Sequence, residues 1–272
     1  MHLKRWITGI IALPILIAII GYGGSFLFSF FISIVFAIAL WEYFRIQFNA
    51  LNKSVFVPIT VSGFITGILI VWSAYSDLFN LIPAFLFIDL MLTAFIAVLF
   101  YKDNPKVIEI VLKQVAGVLY IPVALSFFVM IRNSPDGIFW VFYILCMVFA
   151  CDTGAFYVGS YFGKHKLCPA VSPGKTVEGF LGGMTSVFIV GAVFKIYLTP
   201  SSSWGYSLCF FFLISIAAPL GDLFESMLKR TANVKDSGGL LPGHGGVLDR
   251  IDALLFALPV AYIFKTYIFN VI

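Results

Sequence analysis

The amino-acid sequence predicts an all-α polytopic membrane protein, a bundle of about nine transmembrane helices with its N-terminus in the cytoplasm. Three observations predict it. Hydrophobic residues make up 61% of the 272, with 31 phenylalanines and a mean hydropathy of +1.04. A soluble chain of this length cannot hide that much apolar surface in a core. The apolar runs are also continuous, close to the roughly 20 residues a helix needs to cross about 30 Å of hydrocarbon, and unlike the alternating segments of about 10 residues found in a barrel. Finally, basic residues gather in alternate loops, as the positive-inside rule requires.

The spans read, in order, as 6–22, 24–41, 55–75, 78–101, 115–131, 138–161, 177–198, 205–225 and 251–269. Lys4 and Arg5 before the first run imitate a signal peptide. No small-x-small cleavage site is evident and a second run follows at once, so the first is read as an uncleaved helix. With the N-terminus inside, the inner segments are 1–5, 42–54, 102–114, 162–176 and 226–250. They hold 14 of the 17 Lys and Arg; only Arg132, Lys195 and Lys265 fall on or near the outer side. Trp6, Trp41 and Trp72 near span ends fit interfacial anchors. No linker, repeat or soluble domain interrupts the chain. It reads as a single integral membrane domain, 1–272, with N-terminal helices over 1–135 and the chemistry concentrated in 136–272. The net charge of +4 reflects topology and anionic headgroups, and gives no reason to expect nucleic acid as a partner. The four cysteines, Cys146, Cys151, Cys168 and Cys209, lack paired metal spacing and read as buried or reduced thiols.

Only 11% of the residues are charged, so local charge density is informative. Asp222 and Glu225, near the end of the eighth span, share a helix face, as do Asp249 and Asp252 at the start of the ninth. Asp152 ends the apolar part of the sixth span and could join them. Carboxylates at membrane depth are expensive unless partnered. Mg²⁺ favours carboxylate oxygens plus substrate phosphates, and two such ions would suit an in-line displacement at phosphorus. The same acids can instead form bundle salt bridges with Lys229, Arg230, Lys235 and Arg250, or an ion pathway in a transporter.

The intervening loop carries Gly238, Gly239, Gly243, Gly245 and Gly246, whose N–H groups can approach an anion closely, or which simply leave the loop flexible. His244 in that loop reads more readily as a structural hydrogen-bonder than as a general acid. Ser172-Pro-Gly-Lys175-Thr imitates a P-loop, but Pro169 stands where the first glycine belongs and no strand is expected before it. Ser172 and Lys175 can still reach a phosphate at a helix start. Glu42 and Arg45, at an inner helix end, read as a local pair.

The run Ser226-x-x-Lys229-Arg230, Lys235-Asp236-x-Gly238, Leu241-Pro242-x-His244-Gly245-Gly246-x-x-Asp249-Arg250-x-Asp252 resembles the signature of the phosphatidate cytidylyltransferase (CDP-diacylglycerol synthase) family. The segments Asp152-Thr-Gly-Ala155, Ser172 to Thr176 with Glu178-Gly179, and Gly221-Asp222-Leu223 with Glu225-Ser226 resemble it too. The likeness is specific over about 150–255, and over the first half amounts to hydropathy and length. Phe156 and Val177 depart from the tyrosine and tryptophan often found there, and neither change removes a candidate ligand.

The resemblance implies a homodimeric membrane nucleotidyltransferase that condenses CTP with phosphatidic acid, giving CDP-diacylglycerol and pyrophosphate, with Mg²⁺ as cofactor. It implies a bacterial-type inner membrane, with the active site facing the cytoplasm and membrane lipids around it. By motif position Asp222 and Asp249 would be metal ligands, with Asp252 in support and Glu225 and Asp152 as further candidates. Ser226, Lys229 and Arg230 would position phosphates, and Lys235, His244, Gly245, Gly246, Arg250, Lys175 and Ser172 would bind substrate. The lipid phosphate is already a charged nucleophile, so positioning and electrostatics should dominate over base catalysis. The competing reading is an ion-coupled transporter using the same intramembrane carboxylates. The CDP-alcohol phosphotransferases share the metal chemistry, but their D-G-x2-A-R-x8-G-x3-D-x3-D pattern is absent. If the ligand assignment holds, Asp249→Asn abolishes turnover in protein that still inserts and folds, and wild-type rates in that variant would refute it.

Overall fold

The computed structural model describes residues 13–48, 53–102, 105–239 and 245–269. Among these residues, eight helices are long and apolar enough to cross a membrane, and a shorter apolar helix, Leu13–Tyr22 (α1), lies where the first span is expected. The start of that predicted span lies outside the described residues. Among the described residues the fold is all-helical apart from one short hairpin. The helices group into two compact units, Met1–Asn133 with Thr231–Asp249, and Ser134–Arg230 with Arg250–Ile272.

The first unit contains α2 (Gly24–Gln47), α3 (Lys53–Tyr75), α4 (Ile82–Phe100), α5 (Val107–Val118) and α6 (Ala124–Asn133). Two of these run further than the sequence suggested. Residues 42–47 continue α2 because Tyr43, Phe44 and Ile46 extend its buried face past the charges of Glu42 and Arg45. Likewise α5 begins at Val107, because Val107, Ile110, Val111 and Gln114 repeat at helical spacing and are buried. Parts of the expected inner segments 42–54 and 102–114 are therefore helix. A five-residue π-helical turn, Leu119–Val123, joins α5 to α6 around Pro122, which has no N–H to donate to the helix ladder. The pattern reading also passed over Asp89. It is buried on α4 and accepts hydrogen bonds from Thr66 Oγ1 at 3.0 Å and Gln114 Nε2 at 2.8 Å. This network ties α3, α4 and α5 together and meets the cost of burying a polar group.

In the second unit, α7 (Gly137–Phe162) leads to an antiparallel hairpin, β1 (Lys166–Cys168) and β2 (Ser172–Thr176), then to α8 (Val177–Leu198) and α9 (Trp204–Thr231). Helix α10 (Leu248–Ile263) starts among the first unit's residues, continues in the second, and ends in a π-helical turn, Phe264–Phe269. Glycines set the α7–α8 approach. A Cβ on Gly183 would lie 2.8 Å from the Cys151 carbonyl oxygen, and one on Gly182 would lie 2.5 Å from Val158 side-chain carbons. Small residues that let backbones come this close are the usual basis of helix packing in lipid. Gly221 does the same for α9 and α10, since a Cβ there would strike the Asp252 carbonyl. The four cysteines are free thiols.

Gly182→Val overpacks the α7–α8 contact, a change that costs about 1–3 kcal/mol in a filled core. Its thermal midpoint in detergent should fall by several degrees, whereas Gly205→Ala, whose new Cβ meets only the Ser203 hydroxyl at 3.4 Å, should leave it unchanged. Equal midpoints for both variants would contradict this packing.

Candidate active site

A cavity of about 470 Å³ opens in the second unit among α7, the hairpin, α8 and α9. Its wall includes Asp152 from α7, Ser172 and Lys175 from β2, and Asp222 from α9, all four expected as site residues. The local sequence explains how they are held. Thr176 caps α8, its Oγ1 accepting from Gly179 N at 3.1 Å, and this places Lys175 one residue before the helix cap. Glu178, in the first turn of α8, accepts from the backbone N–H groups of Lys164 at 3.0 Å and His165 at 3.2 Å, and lies 2.5 Å from His165 Nδ1. It thereby fastens the turn after α7 to the start of α8. A short strand does precede Ser172-Pro-Gly-Lys-Thr, contrary to expectation. It runs antiparallel within a hairpin, and with Pro169 in place of the glycine the P-loop reading still fails.

Lys175 Nζ lies 2.7 Å from Asp222 Oδ2 and donates to the Pro219 carbonyl at 3.4 Å. With side chains 24% and 34% exposed, the pair is less screened than a surface salt bridge. Asp152 feels the charges of Asp222, Lys175 and Arg250. Asp252, buried on α10, feels those of Asp222, Asp152 and Lys229, and its carboxylate accepts from Ala253 N at 2.7 Å. Three mutually repelling acids in apolar surroundings need cations to be stable together, and Lys175, Arg250 and Lys229 supply positive charge.

Other candidates play supporting parts. Glu225 is fully buried and forms an ion pair with Lys229 one turn later. Ser226 Oγ donates to Asp222 Oδ1 at 3.4 Å, and Arg230 Nε donates to the Val171 carbonyl at 3.2 Å, tying α9 to the hairpin turn.

Lys235, Gly245, Gly246 and Asp249, the last in the first turn of α10, belong to the stretch Thr231–Asp249 grouped with the first unit. Asp249 Oδ2 accepts from the backbone N–H of Ser237 at 3.0 Å and of Gly246 at 2.8 Å, and from Ser237 Oγ at 2.9 Å. Gly245 has φ +79°, a left-handed conformation that suits glycine. Lys235 is exposed, and His244 lies outside the described residues. Glu42 and Arg45, expected to pair locally, each reach this loop instead: Glu42 Oε2 accepts from Leu248 N at 2.8 Å, and Arg45 Nη2 donates to the Ser237 carbonyl at 2.8 Å. The missed signal was an acid inside the end of an apolar run, where it is costly without a partner.

Among the described residues, no three or more His, Cys, Asp or Glu close into a ready coordination set. Mg²⁺ is usually held by one or two carboxylates plus substrate phosphates. Asp152, Asp222 and Asp252 offer oxygen donors of the right kind, and their mutual repulsion favours a cation.

The long apolar helices define an integral membrane protein, with a charged cavity in its second unit. Residues 3–268 match the model of the cytidylyltransferase family. The chain is 33% identical over 269 residues to a phosphatidate cytidylyltransferase of Bacillus subtilis (strain 168), covering 95% of this chain and 96% of that one. It is 34% identical over 266 residues to the Staphylococcus aureus (strain COL) protein of that name, covering 94% and 96%. Against the Staphylococcus haemolyticus (strain JCSC1435) protein of that name it is 42% identical over 144 residues, 53% of this chain and 55% of that one. The chain belongs to the cytidylyltransferase family and is a nucleotidyltransferase. Of the two classes that the intramembrane acids left open, enzyme and transporter, family membership selects the enzyme.

Proposed function

We propose that the chain condenses CTP with phosphatidic acid, releasing CDP-diacylglycerol and pyrophosphate, with Mg²⁺ as cofactor and the reaction at the cytoplasmic face of a bacterial inner membrane. The observation that carries this reading is the cavity bearing Asp152, Asp222 and Lys175, in a chain similar over nearly its full length to proteins named phosphatidate cytidylyltransferase. The excess of Lys and Arg in the expected inner segments supports the cytoplasmic face.

In this reading an oxygen of the lipid phosphate attacks the α-phosphorus of CTP. The bond from that phosphorus to the bridging oxygen of the β-phosphate breaks, and pyrophosphate leaves with the electron pair. The nucleophile is already anionic, so no side chain has to remove a proton. What the protein must do is hold two polyanions together and offset charge on the leaving group. Asp222 and, by motif position, Asp249, with Asp152 and Asp252 as further candidates, would hold Mg²⁺, whose contribution when bound is to neutralise phosphate charge and fix the in-line geometry. Lys175, one residue before the α8 cap, is placed to exchange its pairing with Asp222 for a phosphate oxygen. Ser172, in the same wall, can donate a hydrogen bond to phosphate. Ser226 orients Asp222, and Arg230 holds the hairpin that carries Lys175.

Detergent-purified protein should release pyrophosphate from CTP only when phosphatidic acid and Mg²⁺ are both present. Release without the lipid, or none with all three, would refute the proposed reaction.

A further inference from the structure

We infer that Glu42, on α2 of the first unit, is a positioning residue for Leu248 and Asp249 and the glycines Gly238 and Gly246 beside them, so that the N-terminal helices serve the reaction as well as membrane insertion. The inference rests on the cytidylyl-transfer reading above. Glu42 is only 4% exposed, and an acid buried in a membrane helix has to be matched. The loop matches it. Glu42 Oε2 accepts from Leu248 N at 2.8 Å and lies 3.3 Å from Ser237 Oγ, whose single proton is directed to Asp249 Oδ2 at 2.9 Å. Leu248 opens α10, where the first N–H groups of a helix lack intrahelical acceptors and favour negative charge. Glu42 therefore acts as a cap delivered from another helix, while Asp249 reaches back to the N–H of Gly246.

The glycines show how closely the loop is fitted to this carboxylate. A Cβ on Gly246 would lie 2.5 Å from Glu42 Oε2 and 2.6 Å from Oε1, and a Cβ on Gly238 would collide with Oε1. These two glycines clear space for Glu42, a requirement separate from the anion-binding role that their sequence suggested. Arg45, three residues along α2, donates to the Ser237 carbonyl at 2.8 Å. Ser237 is thus gripped from both sides, and its hydroxyl lies 2.9 Å from Asp249 Oδ2. Glu42 holds Leu248 N, one residue before Asp249, and Arg45 holds Ser237, whose N–H donates to Asp249, so removing Glu42 loosens the backbone around the carboxylate that motif position assigns to the metal.

The test uses the full-length protein in detergent, as wild type, Glu42→Gln and Glu42→Leu. Without metal or substrate, hydrogen exchange in the segment 245–248 should accelerate by roughly 10- to 100-fold in Glu42→Leu, the equivalent of losing a hydrogen bond to a charged group. With substrates, kcat should fall roughly 10- to 100-fold, as for loss of an outer partner of a metal ligand. The Mg²⁺ concentration for half-maximal rate should rise, the KM for phosphatidic acid should stay within about twofold, and Glu42→Gln, which keeps one acceptor oxygen, should recover part of each loss. A purely structural role would lower the yield of folded protein while the remainder kept wild-type kcat and Mg²⁺ dependence, and that result overturns the inference. So does wild-type exchange over 245–248. If Glu42→Leu does not fold, Arg45→Gln replaces it: faster exchange over 237–239 with reduced kcat supports the inference, and wild-type values for both overturn it. Should the wild type itself form no CDP-diacylglycerol, the reaction reading fails, while the exchange result still decides whether Glu42 holds the loop.

Discussion

A carboxylate inside an apolar helix bundle has to find a donor or a cation, and the polar architecture of this protein follows from that requirement. In the second unit Asp222 finds Lys175, Glu225 finds Lys229, and Asp152 and Asp252 sit within the field of Arg250, Lys175 and Lys229. In the first unit Glu42 finds the backbone N–H at the start of α10, Asp249 finds those of Gly246 and Ser237, and Asp89 finds Thr66 and Gln114. Unpaired, each of these acids would carry a penalty of several kcal/mol. Their partners therefore bear directly on where the helices and the loop come to rest.

The two kinds of partner serve different ends. Asp89 is satisfied by neutral side chains on neighbouring helices, which suits a fixed structural knot. Lys175 meets Asp222 beside an open cavity with both side chains partly exposed, and under the proposed reaction that pairing would be traded for phosphate and a divalent cation. Electrostatic preorganisation of this kind asks little rearrangement of the protein when the substrate arrives. It also explains why a hairpin is present in an otherwise helical fold: the strand carrying Ser172 and Lys175 reaches over the cavity, tied down by Glu178 at one end and Arg230 at the other.

Much of this was legible in the sequence. Continuous apolar runs marked the membrane helices, because burial in lipid leaves only closed backbone hydrogen bonding as a solution. Asp152 and Asp222 stood out as acids in apolar runs, and Ser172 and Lys175 as residues able to reach a phosphate at a helix start, and the structure gathers the four at one cavity. What remained hidden depends on partners distant in sequence. Glu42 has its counterparts at Ser237 and Leu248, about 200 residues away, and nothing in its neighbours discloses that. Asp89 lies within an apolar run whose hydropathy conceals a single acid, and its partners are on two other helices. The hairpin escaped because strands of three and five residues, the second interrupted by Pro173 and Gly174, carry no periodic signal.

The central claim is that the carboxylate cluster around Asp222 carries out the chemistry and does not merely hold the bundle together. The most direct test is CDP-diacylglycerol formation by Asp222→Asn at matched folded protein, since the substitution keeps the size of the side chain and removes its charge. The account predicts a rate at least about 100-fold below wild type, as when a main electrostatic contact of a transition state is removed, with the thermal midpoint little changed. A rate within about twofold of wild type would contradict it.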